Sequence, residues 1–204
     1  MRFIESILAV TLLFGYLILW KVKEIRQHAV TGINPKVMSK STSNIQRFMD
    51  NYSKVLMVYS IAFVVIHSFN FQLYSLFTRF EVLNKPLFDL SGFFVGIIGL
   101  GFCLYAQLKM GASWRVGIDE DIKTELVMNG LYAYIRNPTY LGLFLLNSGI
   151  WLLWPTWTVF LFNVLFVLFL EIQVRCEEDF LVARHGDVYV EYKQKTKRYF
   201  PFIY

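Results

Sequence analysis

Between Pro138 and Val174 the chain carries a single charged residue, Glu171, and its apolar character breaks only at Trp154-Pro155-Thr156-Trp157. A single helix of that run, rising about 1.5 Å per residue, far exceeds a hydrocarbon core of about 30 Å. Proline breaks a helix interior but is tolerated at a first turn, and tryptophan favours the membrane interface. The run therefore predicts two membrane helices in a tight hairpin turning at Trp154-Pro155, in preference to one kinked helix.

Three further stretches are long and apolar enough to span: Phe3 to Trp20, Val55 to Phe77 and Leu87 to Leu108. The first has no small-residue cleavage site before Lys21, so it reads as a span and not a signal peptide. The expected fold is an all-α polytopic membrane protein. It has five transmembrane helices, the last two forming the hairpin, and a cytosolic C-terminal helical segment. We read one membrane domain over 1–204, with three N-terminal spans in 1–108 and a cofactor-binding and catalytic half in 109–204. Only 17% of residues are charged while 56% are hydrophobic, against about 25% charged in soluble domains.

Basic residues orient these spans. One side of the five-span arrangement receives seven Lys and Arg between Lys21 and Lys54, four between Lys109 and Arg136 and six between Arg175 and Arg198. The other receives three, Arg2, Arg79 and Lys85, of the 20 in the chain. Positive charge marks cytoplasmic loops. The N-terminus is thus expected outside and the C-terminus in the cytosol, in an inner membrane if bacterial and the endoplasmic reticulum if eukaryotic. The net charge of +5 is accounted for in this way, so no nucleic-acid partner is expected. Membrane lipids are. Cys103, Cys176, His28, His67 and His185 offer no ligand spacing, so no metal site is expected.

A hairpin brings two polar clusters to one membrane face. The first is Arg136-Asn137-Pro138-Thr139-Tyr140, where Asn137 and Pro138 read as N-cap and first helical residue. A helix start with an adjacent arginine suits a carboxylate or phosphate. The second runs from Glu171 to Glu178. Glu171, Arg175 and Glu178 are spaced i, i+4, i+7 on one stripe, and Glu171 and Arg175 can pair with each other. Glu177 and Glu178 stand where the helix dipole disfavours carboxylates by about 0.3–1 kcal/mol each, so a cationic or hydroxyl-rich neighbour is expected. Taken alone, each cluster also reads as a helix cap, an interfacial anchor or a solvated helix end. A ligand matching both carries a carboxylate, a positive charge and a ribose, as S-adenosylmethionine does. Dinucleotides fit less well, because no strand leads into a Gly-rich turn. Gly99-Leu100-Gly101 lies inside the third span, where such a pair more often means close helix packing.

The stretch Leu126-Val127-Met128-Asn129-Gly130-Leu131-Tyr132-Ala133-Tyr134-Ile135-Arg136-Asn137-Pro138-Thr139-Tyr140-Leu141-Gly142 resembles the signature of the isoprenylcysteine carboxyl methyltransferases and their phospholipid methyltransferase relatives. Glu177-Glu178-Asp179-Phe180-Leu181, then His185-Gly186-Asp187-Val188-Tyr189-Val190-Glu191-Tyr192, and the basic tail Lys195-Thr196-Lys197-Arg198-Tyr199-Phe200-Pro201, are similar to later elements of that family. Asn137 stands where the family has histidine. It keeps a donor but does not titrate near neutral pH.

The resemblance implies S-adenosylmethionine bound at the cytosolic side of the hairpin, with the C-terminal segment closing over it. A lipophilic acceptor, either a small molecule or a lipid-modified substrate, would enter from the bilayer. It implies cofactor binding by Val127, Gly130, Tyr132, Arg136, Asn137, Tyr140, Glu177 and Glu178, with Arg136, Tyr140 and Glu178 nearest the chemistry. Trp114 and Tyr134 are further candidates for the sulfonium and equally fit an aromatic belt. Lys195 and Arg198 suit a membrane surface better than an acceptor headgroup. Prenylcysteine carboxylates, lipid amines, thiols and isoprenoid phenols all remain open as acceptors. Two other classes stay in view. The Arg-x-Pro-x-Tyr core is also similar to NADPH-dependent sterol C14-reductases, which need more spans than 204 residues supply. A non-catalytic membrane scaffold is the other.

Overall fold

The computed structural model describes residues 2–32, 34–38, 41, 43–69, 77–118 and 125–201. Six α-helices organise it: α1 (Arg2–Thr31), α2 (Asn44–Ser68), α3 (Pro86–Met110), α4 (Pro138–Leu153), α5 (Trp157–His185) and α6 (Asp187–Lys195). Among the described residues there is no strand, only isolated bridges. Four helices, α1, α2, α3 and α5, are long and apolar enough to cross a membrane, while α4 is a shorter apolar helix. Exposed apolar side chains such as Phe14, Leu17, Ile61 and Phe94 suit contact with lipid, and the chain is an integral membrane protein.

The helix lengths differ from the expected ones for a physical reason. α1 runs on from Trp20 to Thr31 and α5 from Val174 to His185, because charged residues are compatible with a helix once it has left hydrocarbon. α2 begins at Asn44, and its polar first turns bury Gln46 and Met49. The far end of the expected second span falls on 70–76, outside the described residues. α4 has 16 residues, about 24 Å at the helical rise and so short of a ~30 Å core.

A seam of small residues sets how deeply α4 is seated. A Cβ at Gly149 would lie 2.5 Å from the Gly92 carbonyl, and one at Gly99 would lie 2.6 Å from that of Gly142. The two backbones therefore touch, as small residues permit between membrane helices. Gly101, the other half of the Gly-x-Gly pair, has nothing within 4 Å of a built Cβ and takes no part in this seam.

Three residues connect α4 to α5. Thr156 is the N-cap of α5, accepting from the Val159 amide at 3.4 Å, and its hydroxyl meets His67 Nε2 at 2.8 Å. Of the two flanking tryptophans, Trp157 is exposed as an interfacial residue should be. Trp154 is instead buried, with its ring 5.2 Å from His67 and 6.3 Å from Phe63. α2 packs on α5 through Tyr59, Phe63 and Phe162, whose rings meet nearly edge to face.

Candidate functional site

The start of α4 and the last turns of α5 meet, as the two clusters led us to expect. The C-terminal segment is the third wall. After α6 the chain runs beside residues 134–137: the Arg136 amide donates to the Lys197 carbonyl at 2.8 Å, that of Asn137 to the Arg198 carbonyl at 3.1 Å, and that of Lys197 to the Tyr134 carbonyl at 3.0 Å. This pairing brings Arg198 onto α5.

Glu178 is the centre of the resulting charge network and is 2% exposed. Arg136 Nε donates to its Oε1 at 3.0 Å, and Arg198 Nη2 donates to its Oε2 at 2.9 Å. Lys193 Nζ lies 3.6 Å away. Burying a carboxylate is tolerable only with such partners. The rest of the Arg136 fork serves the fold: Nη1 donates to the Lys193 carbonyl at 3.0 Å and to the Thr196 carbonyl, tying down the C-terminal end of α6.

Several sequence expectations change here. Asn137 occupies the N-cap position but makes no side-chain cap bond. Its amide points instead at Glu178 Oε1, 3.4 Å away. Arg175 shares the helical stripe with Glu178 yet lies exposed, pairing only loosely with Glu171 at 3.5 Å. Arg198, expected at the membrane surface, is an internal partner of Glu178 and also lies 3.8 Å from Glu171. Lys195 does stay outside, 3.5 Å from Glu191.

Glu177 has a different environment. Its Oε1 accepts from the Tyr140 hydroxyl at 2.8 Å and from Gln173 Nε2 at 2.9 Å. This cluster separates two cavities. One, of about 140 Å³, is lined by Val127, Tyr132, Arg136, Asn137, Tyr140, Glu177 and Glu178, with Tyr189 and Tyr192 closing it. The other, of about 430 Å³, lies between α1, α2 and α5 and is walled by Trp20, Trp114, Phe166 and Phe169. Thr139, Tyr140 and Glu177 face both.

Gly130 and Tyr134 line neither cavity. Gly130 takes φ +65°, and a Cβ there would fall 2.1 Å from the Tyr105 hydroxyl. It shapes the 3₁₀ turn Gly130–Ala133 that presents Tyr132. Tyr134 is exposed. The Tyr192 hydroxyl donates to the Tyr132 carbonyl at 2.6 Å. Burial pushes the Tyr192 phenol up to about 12, and burial raises Tyr132 as well, so both rings stay neutral at physiological pH.

A phospholipid methyltransferase family model matches residues 89–188, a stretch that holds α4, the Arg136–Tyr140 cluster and the Glu177-Glu178 pair. The chain is also similar to two enzymes named protein-S-isoprenylcysteine O-methyltransferase. That of Schizosaccharomyces pombe is 34% identical over 79 residues, 38% of this chain and 34% of that protein. That of Saccharomyces cerevisiae is 36% identical over 80 residues, 38% of this chain and 33% of that protein. The similarity thus spans about a third of the length of each relative. The matched stretch supplies most of the wall of the smaller cavity and the part of the larger one contributed by residues 107–177, and over that stretch the chain is similar to the phospholipid and isoprenylcysteine methyltransferases.

Proposed function

We propose that the protein transfers a methyl group from S-adenosylmethionine to a lipophilic acceptor at the cytosolic membrane face. The observation that carries this reading is the meeting of a small charged cavity and a larger aromatic one at a single hydrogen-bonded cluster, Tyr140, Glu177 and Gln173. Such a pair suits a polar donor on one side and an apolar acceptor on the other.

The residues fit this cofactor in chemistry. Glu177 and Glu178 offer carboxylate oxygens to an amine or to ribose hydroxyls, Asn137 offers an amide, and Tyr132, Tyr189 and Tyr192 offer aromatic faces. In size the fit is partial. About 140 Å³ is less than the ~300 Å³ at which ligand pockets begin, so a whole nucleoside needs more room than the closed cavity has. The cofactor supplies a methyl group on a sulfonium, which is already a good leaving group. What remains for the protein is to hold the partners in line and keep water out. In this reading Glu178, Glu177, Asn137 and Tyr132 hold the cofactor, with Val127 in apolar contact. Tyr140 borders both partners. Arg136 and Arg198 are positioning residues that fix the Glu178 carboxylate and the closing segment. Gly130 acts through the turn.

The proposed topology has five spans, with α4 and α5 as a hairpin, the N-terminus outside and the C-terminus in the cytosol. The segregation of basic residues supports it. Single cysteines at Ser41, Ser113 and Thr196 are then labelled only from the cytosolic side, and one at Thr78 only from outside. Labelling of Ser113 and Thr196 from opposite sides removes the hairpin.

Calorimetry on detergent-purified protein tests the cofactor. The expected result is micromolar binding of S-adenosylhomocysteine, corresponding to about −8 kcal/mol, with no saturable binding of NADPH. The reverse pattern points to the reductase class.

A further inference from the structure

Among the described residues that line the larger cavity, Gln173 carries a buried polar atom that the fold leaves without a partner. Gln173 is 2% exposed and lines the 430 Å³ cavity. Its Nε2 donates to Glu177 Oε1 at 2.9 Å, whereas its Oε1 has no hydrogen-bond partner within the protein. The amide is held this way round because Glu177 Oε1 accepts from it, and only the NH₂ end of an amide donates. Glu177 also takes the Tyr140 hydroxyl on that same oxygen, at 2.8 Å. The junction of the two cavities therefore presents acceptor atoms: an amide carbonyl oxygen and a carboxylate whose two bonded neighbours are neutral. Leaving a buried acceptor unmatched costs about 1–3 kcal/mol, a cost that a bound donor removes.

Two cations of this cavity, Lys36 and Arg115, are engaged by other groups. Lys36 is 3.0 Å from Glu24 and stands 4.4 Å over the Trp20 ring. Arg115 Nη1 donates to the Ala112 and Trp114 carbonyls, both at 2.9 Å. Asp50, the other carboxylate of the lining, is 2.6 Å from Lys54.

We infer that Gln173 selects the acceptor. Its carbonyl oxygen, beside Glu177, receives a head that donates hydrogen bonds, and an amine on a lipophilic body is the chemistry that fits both groups. A carboxylate head at the same place would put lone pairs against lone pairs and a negative charge beside Glu177. The assignment rests on the methyltransferase reading only in calling this ligand the acceptor. Recognition of the head stands on the cavity itself.

Matched probes test it: decylamine and decanoate, which share a tail length and differ in the head. Each is titrated calorimetrically into the full chain in lipid nanodiscs, with and without saturating S-adenosylhomocysteine. In the unaltered protein decylamine binds at least tenfold tighter than decanoate. Gln173→Leu weakens decylamine about tenfold, the loss of one hydrogen bond to a charged group, and does not weaken decanoate. Gln173→Glu, which keeps acceptor oxygens, retains the amine preference. Equal or tighter binding of decanoate to the unaltered protein overturns the assignment without any variant having to fold. So does a Gln173→Leu protein that binds S-adenosylhomocysteine normally and decylamine undiminished. A chain that prefers decylamine through Gln173 but ignores S-adenosylhomocysteine upholds the head recognition and overturns the methyltransferase reading instead.

Discussion

Glu5 and Glu178 are both 2% exposed in their side chains and both meet arginine, Glu5 bonding to Arg79 and Glu178 to Arg136 and Arg198. Glu5 and Arg79 lie at the end of the bundle where α4 turns into α5. Arg79 there also donates to Asn84 at 3.0 Å, and its backbone bridges to Thr156. Glu178 lies at the opposite end, where α4 begins. The chemistry of the two pairs is alike, but Glu5 and Arg79 line neither cavity, whereas Arg136 and Glu178 form a wall of the 140 Å³ one. A buried ion pair is therefore no mark of a site by itself. It becomes one where a second carboxylate, an aromatic cage and an open volume stand against it.

Both ends hang from the α3–α4 seam, so the largest effect is expected from breaking it. Gly149→Leu places side-chain atoms where the Gly92 carbonyl already lies within 2.5 Å of a Cβ. Overpacking against backbone typically costs about 1–3 kcal/mol, and here the atom met is a carbonyl that no rotamer change can move aside. Size-exclusion profiles in detergent should show loss of the monodisperse folded protein. A folded Gly149→Leu protein that still bound S-adenosylhomocysteine would mean that the seam does not hold the two ends together.

Arg79→Ala and Arg136→Ala separate the ends. Arg79→Ala removes the arginine that pairs with buried Glu5, an effect worth about 3–5 kcal/mol; Arg136→Ala leaves Glu178 with Arg198 and should cost less, but both should lower the melting temperature. Only Arg136→Ala should also abolish measurable S-adenosylhomocysteine binding, because it releases Glu178 and the end of α6 together. Loss of binding in Arg79→Ala at a temperature where it remains folded would couple the two ends and blur the contrast.

Within the site end, Glu178→Gln should weaken cofactor binding by roughly 1.5–3 kcal/mol, the range for a hydrogen bond to a charged group. The sequence alone suggests that stability would survive, since glutamine keeps shape and helix propensity. The structure changes that expectation. Two guanidiniums lose their counter-charge, so thermal stability should fall as well. Glu177→Gln should have a smaller effect on the cofactor, and the exposed Asp179 should tolerate Asp179→Asn with almost none. Equal, small effects at all three positions would reduce the acidic run to a solvated helix end.

These contrasts also explain what the sequence made legible. The apolar runs, the break at Trp154-Pro155 and the meeting of residues 136–140 with 171–178 follow from hydropathy and chain reversal, both local or nearly so. Gly92, Gly96 and Gly99 facing Gly142 and Gly149 are visible as spacing only once α3 and α4 are known to be neighbours, and α3 is joined to α4 through a long polar stretch. Arg198 looked superficial because basic tails usually are. Its burial depends on the pairing of 197–198 with 134–137, a contact with no periodic signature. Gln173 stood in the right cluster, but nothing in the residue order distinguishes an amide with one unmatched end from a satisfied one.

The smallest expected effects fall on Asn137, and there the order of variants is more telling than their size. An N-cap residue helps a helix by accepting from the first turn, so a cap ranks aspartate with asparagine and both above alanine, with losses near 1 kcal/mol. Asn137 makes no such bond and aims its amide at Glu178 Oε1 over 3.4 Å, a long and weak contact. Asn137→Ala should therefore cost only a few tenths of a kcal/mol, since Arg136 and Arg198 continue to serve that carboxylate. Asn137→Asp should be the worse of the two, because it sets a second negative charge against Glu178 in a buried site. Melting temperatures and S-adenosylhomocysteine affinities should both rank Asn137, then alanine, then aspartate. If aspartate matches asparagine and alanine falls below them, Asn137 is a helix cap after all, and its amide is no part of the Glu178 cluster.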